Sequence, residues 1–189
     1  MIAAPATRRE ALRRAGGVAL VASAAPLLVA VRDAFAAAGG DEEILRGAVR
    51  LEQGLAVTYR TLAASGDLDA RARALARHFG DQEQQHLDVV SKELQTLGGV
   101  VPSEPGADLV KAGREALTGV RGQPALLAFA GALEENAIAA YYEAEQALQR
   151  DEFVQTTAAI MANEGQHLAL LREALGGAPV PNAFETGQG

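Results

Sequence analysis

Six polar residues stand where a helical bundle needs apolar ones, and they limit what this chain can fold into more than anything else in it. Glu164 and His167 fall inside the run Phe153, Thr157, Ile160, Glu164, His167, Leu171, Ala174, whose three- and four-residue steps mark the buried face of an α-helix. The same Glu-x-x-His pair recurs at Glu83 and His86, within Ala76, Phe79, Glu83, His86, Val90, Leu94, Leu97. Two further stripes carry one glutamate each: Leu45, Ala48, Glu52, Leu55, Tyr59, Leu62, and Leu127, Ala130, Glu134, Ala137, Tyr141, Ala144, Leu148. Residues three apart on a helix project from one face about a turn from each other, so a carboxylate and an imidazole at that spacing can hold one metal ion.

The punctuation between stripes sets their register. Ser65-Gly66-Asp67 is a turn signal between a first helix starting at Asp41 and a second over about 68–97, which Gly98-Gly99 stops. Residues 100–123, with Pro102, Pro105 and Gly106, read as a long connection that carries a short helix over about 107–118. Pro124 suits the first turn of a third helix. The five-residue step from Leu148 to Phe153 predicts a break at Arg150-Asp151, with Asp151 as N-cap. Gly176-Gly177 ends the fourth helix, and an irregular tail follows over 178–189.

In an up-down helix pair, residues equally far from the turn lie at one height. The midpoint of 52 and 83 falls at 67.5, beside the first turn, and that of 134 and 164 at 149, beside the second. Each glutamate is then roughly 23 Å from its turn at 1.5 Å per residue, and all four share one layer. Leu51-Glu52 with Tyr59 matches Leu133-Glu134 with Tyr141, so the halves read as an internal duplication. Glu135, about 100° round the helix, competes with Glu134; the match to Glu52 favours Glu134.

Four carboxylates in one buried layer repel and lose hydration, at several kcal/mol each unless they are protonated or neutralised. Two divalent cations balance four charges, with neutral His86 and His167 completing the set. Such ligands suit Fe(II) or Mn(II) and do not resemble a calcium cage. A surface placement of the six, or a degenerate bundle that takes up zinc adventitiously, are the competing readings.

The absence of cysteine excludes disulfides, thiolate metal sites and iron–sulfur clusters, and 189 residues favour one domain. Residues 1–38 read as a targeting segment. Thr7-Arg8-Arg9-Glu10-Ala11-Leu12-Arg13 resembles the twin-arginine export signature, although Ala11 stands where an aromatic is usual. A mildly apolar run over 15–30 and the small-x-small site Ala34-Phe35-Ala36 follow it. An N-terminal amphipathic helix that stays on the protein is the alternative. The segment holds five arginines against Glu10 and Asp33, so of 17 basic and 24 acidic residues 12 and 22 remain, a net charge of −10. That balance, without a basic patch, argues against nucleic-acid binding.

Helices carrying two single glutamates and two Glu-x-x-His pairs resemble the ferritin-like di-iron carboxylate family. The resemblance covers about 41–175 and implies an all-α, up-down-down-up four-helix bundle over 39–177, with a long crossover between its second and third helices. Its symmetric ligand set looks most like the bacterioferritin-type centre, and the Glu-to-Tyr spacing is also similar to rubrerythrins. The leader and the tail motif Pro181-Asn182-Ala183-Phe184 resemble those of exported bacterial ferritin-like domain proteins. A rubredoxin-type cysteine module is missing, and Ala137 stands where rubrerythrins add a glutamate.

The resemblance implies two iron ions, manganese being the other candidate, with Glu83 and Glu164 bridging and Glu52 and Glu134 binding one ion each. It also implies O₂ or H₂O₂ as the partner in a ferroxidase-, peroxidase- or oxidase-type reaction. A manganese catalase-like enzyme is the nearest rival, and a non-catalytic exported bundle with a structural metal is the rival from another class. Tyr59 and Tyr141, leaning toward the layer, are expected to hydrogen-bond a ligand carboxylate or donate single electrons, against a plain core role. His78 and the cluster Arg71-Ala72-Arg73 with Arg77 read as solvated surface. A homodimer is left open, a ferritin cage is disfavoured, and contact with a membrane is expected only through an uncleaved leader.

Overall fold

The computed structural model describes residues 39–187 apart from 104 and 106. The expected leader over 1–38 lies outside the described residues. Among those residues the chain forms five helices and no strand: α1 Asp41–Ala63, α2 Ala70–Thr96, α3 Ala107–Leu117, α4 Gln123–Glu145 and α5 Asp151–Ala174. None of them is long and apolar enough to cross a membrane.

α1 packs along α2 and α4 along α5, and the two hairpins join through α1 against α4 and α2 against α5. Leu62 near the end of α1, Ala72 near the start of α2, Leu126 near the start of α4 and Leu171 near the end of α5 line one small cavity, so these termini share one end of the bundle. The order is therefore up-down-down-up, as the resemblance implies. The 97–122 crossover must return the chain along the full bundle, and α3 lies on α1 during that return. Gln53 Nε2 seats the crossover by donating to the Pro102 carbonyl at 3.0 Å.

Local chemistry sets the helix ends. Asp69 caps α2 by accepting from the Ala72 amide at 2.8 Å. α2 closes in a Schellman motif: Gly98 takes φ 81°, its amide donates to Gln95 O at 2.9 Å, and the Gly99 amide donates to Leu94 O at 3.0 Å. Gly176, at φ 76°, ends α5 in the same way. The α1–α2 turn is also bonded to the start of α4, with Gln123 Oε1 accepting from the Asp69 amide at 2.8 Å and Asp67 Oδ2 from the Gly122 amide at 2.8 Å.

Three local expectations need correction. α4 stops at Glu145, so Leu148 belongs to the connection, where it still packs on the core. Arg150 rather than Asp151 holds the N-cap position of α5, with no side-chain cap bond; Asp151 and Glu152 form the first turn, where their charge suits the helix dipole. Arg73 is not simply solvated surface either. It is half-buried and donates to Leu68 O at 2.9 Å and Ser65 O at 3.4 Å, tying the turn to α2. Arg71, Arg77 and His78 are exposed.

The core is alanine- and leucine-rich, with Tyr59, Phe79, Phe129, Tyr141 and Phe153 as its largest buried side chains. Small residues let the helices approach closely, which seals the four glutamates of the inward stripes from water.

Candidate metal centre

The helical stripes bring all six of the singled-out glutamates and histidines into one layer. Glu52, Glu83, Glu134 and Glu164 are each 0% exposed and His167 1%. His86 is less enclosed, with 12% of its side chain exposed. Glu135, the rival to Glu134, is half-buried and pairs instead with Arg172 at 3.1 Å, whose other nitrogen holds Glu185 of the tail at 2.7 Å.

The donor atoms sort into two overlapping sets, Glu52, Glu83, His86 and Glu164 in one and Glu83, Glu134, Glu164 and His167 in the other, each with its atoms within 4.8 Å of one another. His86 Nδ1 stands 3.6 Å from Glu52 Oε2, 3.2 Å from Glu83 Oε2 and 3.1 Å from Glu164 Oε1. His167 Nδ1 stands 3.2 Å from Glu83 Oε1, 3.3 Å from Glu134 Oε1 and 3.0 Å from Glu164 Oε2. Glu83 and Glu164 thus turn one oxygen toward each set. Glu52 and Glu134 each serve one.

Of these six contacts only His86 Nδ1 with Glu83 Oε2 is aligned as a hydrogen bond; the others are close but poorly aligned. Both oxygens of Glu164, Glu52 Oε2, Glu83 Oε1, Glu134 Oε2 and His167 Nδ1 are buried without a hydrogen-bond partner. Buried polar atoms are normally satisfied, and each orphan costs about 1–3 kcal/mol. Donors held about 2.1 Å from a common octahedral cation stand about 3.0 Å apart, which matches most of the observed separations. The residues present therefore fit a pair of divalent ions, and the orphaned atoms are the ones such ions would satisfy.

Electrostatics point the same way. Burial, reinforced by neighbouring carboxylates, raises Glu52 well above its ordinary range and pushes Glu134 up to about 8. Burial works against charged imidazoles, yet the carboxyl groups of Glu134, Glu164 and Glu83 push His167 up to about 12, and those of Glu164, Glu52 and Glu83 raise His86 as well. Among the described residues these imidazoles are the only cationic partners of the four glutamates. Without metal, the layer balances its charge with protons.

The tyrosines cross between halves. Tyr59 on α1 donates its hydroxyl to Glu134 Oε1 on α4, and Tyr141 on α4 donates to Glu52 Oε1 on α1. Both rings are buried, and burial with the neighbouring carboxylates raises both phenols well above their ordinary value, so both remain O–H donors. The expected bond to a carboxylate of the layer is present, and each tyrosine reaches the glutamate of the other half.

One contact had no sequence signal strong enough to find it. His167 Nε2–H donates to Gln82 Oε1 across the α2–α5 interface at 2.9 Å. Gln82 lies about 100° off the Glu83 stripe, so periodicity puts it outside the layer. Phe79, already in the stripe, stacks on the His167 ring at 3.9 Å between centroids and 22° between planes.

No curated protein and no solved structure matches the chain. A family model for the ferritin-like domain matches residues 40–177, the span that contains all five helices of the described residues and all six clustered residues. A bundle of this order, a buried Glu/His cluster compatible with a di-metal site and a match over most of the sequence agree, and the chain belongs to the ferritin-like domain family.

Proposed function

We propose that this protein is a di-metal carboxylate protein that binds two iron ions in the layer, with Glu83 and Glu164 shared between them, Glu52 and His86 at one ion, and Glu134 and His167 at the other. The observation that carries the reading is the set of orphaned buried oxygens and the orphaned imidazole nitrogen aimed into one layer. When bound as Fe(II), the pair supplies two electrons to O₂ or H₂O₂. The chain's own part is to hold its ligands in place before metal arrives and to exclude water with the surrounding alanines, leucines and Phe79. Tyr59 and Tyr141 steady the singly serving carboxylates and sit within reach as one-electron donors. Manganese fits the same donors, and a manganese-loaded sample that evolves gas rapidly from peroxide would identify catalase chemistry instead.

Export through the twin-arginine route is part of the proposal and rests on the paired arginines, apolar run and small-residue site of residues 1–38. That route carries folded proteins, which suits a centre assembled before transport.

The test is anaerobic addition of Fe(II) to metal-stripped protein, followed by air or peroxide. A near-ultraviolet Fe(III) absorption saturating at about two irons per chain is expected. A flat response with an unchanged melting temperature would leave only a structural bundle.

A further inference from the structure

The two halves of the layer are alike in their ligands and unlike in what supports them. His167 has its outer nitrogen engaged, Nε2–H donating to Gln82 Oε1 at 2.9 Å, and its ring pressed between the stacked face of Phe79 and the edge of Tyr59 at 6.4 Å. The bond to a carbonyl oxygen requires the proton on Nε2 and leaves Nδ1 facing the carboxylates, where it would bind a metal ion on giving up its own proton. His86 has no such bond at its outer nitrogen, and its ring contact is with His167 itself, at 6.4 Å between centroids, with no close stack like that of Phe79. Its side chain is 12% exposed, and among the described residues nothing accepts a hydrogen bond from its Nε2.

The duplication explains why. Aligning the halves on Glu83 and Glu164 pairs His86 with His167, Gln82 with Asn163, and Phe79 with Ile160. In the first half, Gln82 and Phe79 hold the histidine of the second. Their counterparts are an amide one methylene shorter and a branched aliphatic that cannot stack. The repeat has diverged at the two positions that orient the opposite imidazole.

We propose that Gln82 is a positioning residue that presets His167 and makes the two metal positions inequivalent. The set of Glu83, Glu134, Glu164 and His167 is filled first and held tightly; the set of Glu52, Glu83, His86 and Glu164, at the more open side, exchanges its ion. This deepens the di-metal reading and rests on it. Exchange at the His86 side is also where an incoming Fe(II) ion would enter and where an oxidised ion would leave.

Zn(II), which is redox-silent and diamagnetic, tests this on the metal-stripped full chain by competition with a chromophoric chelator. Wild type should bind two ions in steps at least roughly tenfold apart, and Gln82→Ala should weaken the tight step by roughly 10–100-fold while leaving the weak step nearly unchanged. Asn163→Gln, which lengthens the counterpart amide, should tighten the weak step. In the Zn(II)-loaded protein, ¹⁵N NMR should show His167 bound through Nδ1 with a protected Nε2–H that Gln82→Ala exposes. Equal steps in wild type, equal weakening of both steps by Gln82→Ala, or binding through Nε2 would overturn the proposal while sparing the di-metal reading. No Zn(II) uptake by wild type would overturn both.

Discussion

Tyr59→Phe removes one oxygen and keeps the ring, which is packed edge-on to Phe79 at 5.6 Å, so it isolates the bond to Glu134. Without metal, Glu134 is raised to about 8 and is mostly a neutral carboxyl at pH 7, so the lost bond is worth about 1 kcal/mol. With metal bound, the same carboxyl is ionised, and a hydrogen bond to a charged acceptor in a dry interior is worth about 1.5–3 kcal/mol. The variant should thus destabilise the loaded protein by about 1 kcal/mol more than the stripped one. By linkage that difference is an approximately fivefold loss of affinity for the ion at Glu134. Urea unfolding of chelator-treated protein gives the first quantity, and a Zn(II) competition titration gives the second. An unchanged affinity would refute the charge-assisted bond, and a tighter one would show that the hydroxyl competes with the metal for the carboxylate. Tyr141→Phe should repeat both effects at Glu52.

Metal should stabilise the folded state by about 2.7 kcal/mol at a free concentration 100 times Kd, raising Tm by roughly 5–10 °C, and a chelator should reverse the shift in a thermal melt. Glu164→Ala or Glu83→Ala should abolish both ions, because each carboxylate faces both donor sets, whereas Glu52→Ala or Glu134→Ala should leave about one ion per chain by elemental analysis. Asp69 has its carboxyl held below the ordinary range by the Ala72 amide and by Gln123. Its folded pKa is depressed, so the cap's contribution is complete above the unfolded value near about 3.9 and is lost as pH falls through the folded one. Asp69→Ala should lower Tm at neutral pH, and the gap from wild type should close in acid.

How much of this protein could be read in advance follows from the range over which each feature acts. The stripes, the two Gly-Gly stops and the placement of Glu52, Glu83, Glu134 and Glu164 at equal distances from their turns are properties of single helices and hairpins, where a 3.6-residue period and a fixed rise convert spacing into geometry. The choice of Glu134 over Glu135 was legible because the duplication supplied a second copy to compare. The end of α4 was not: alanine, glutamate and glutamine continue a helix as readily as they leave one, and no glycine or proline stands before Arg150.

That six polar residues face inward at a common depth is already written in the order of residues, because the helical period fixes which way a side chain points. Which oxygen of Glu83 and Glu164 meets which imidazole, the pairing of Tyr59 with Glu134 and Tyr141 with Glu52, and the hold of Gln82 on His167, with no equivalent bond from Asn163 to His86, emerge from the folded bundle alone. Those contacts cross between helices. They depend on how far each helix is rotated and shifted against its neighbour, quantities set by packing of the whole core and carried by no single stretch of chain.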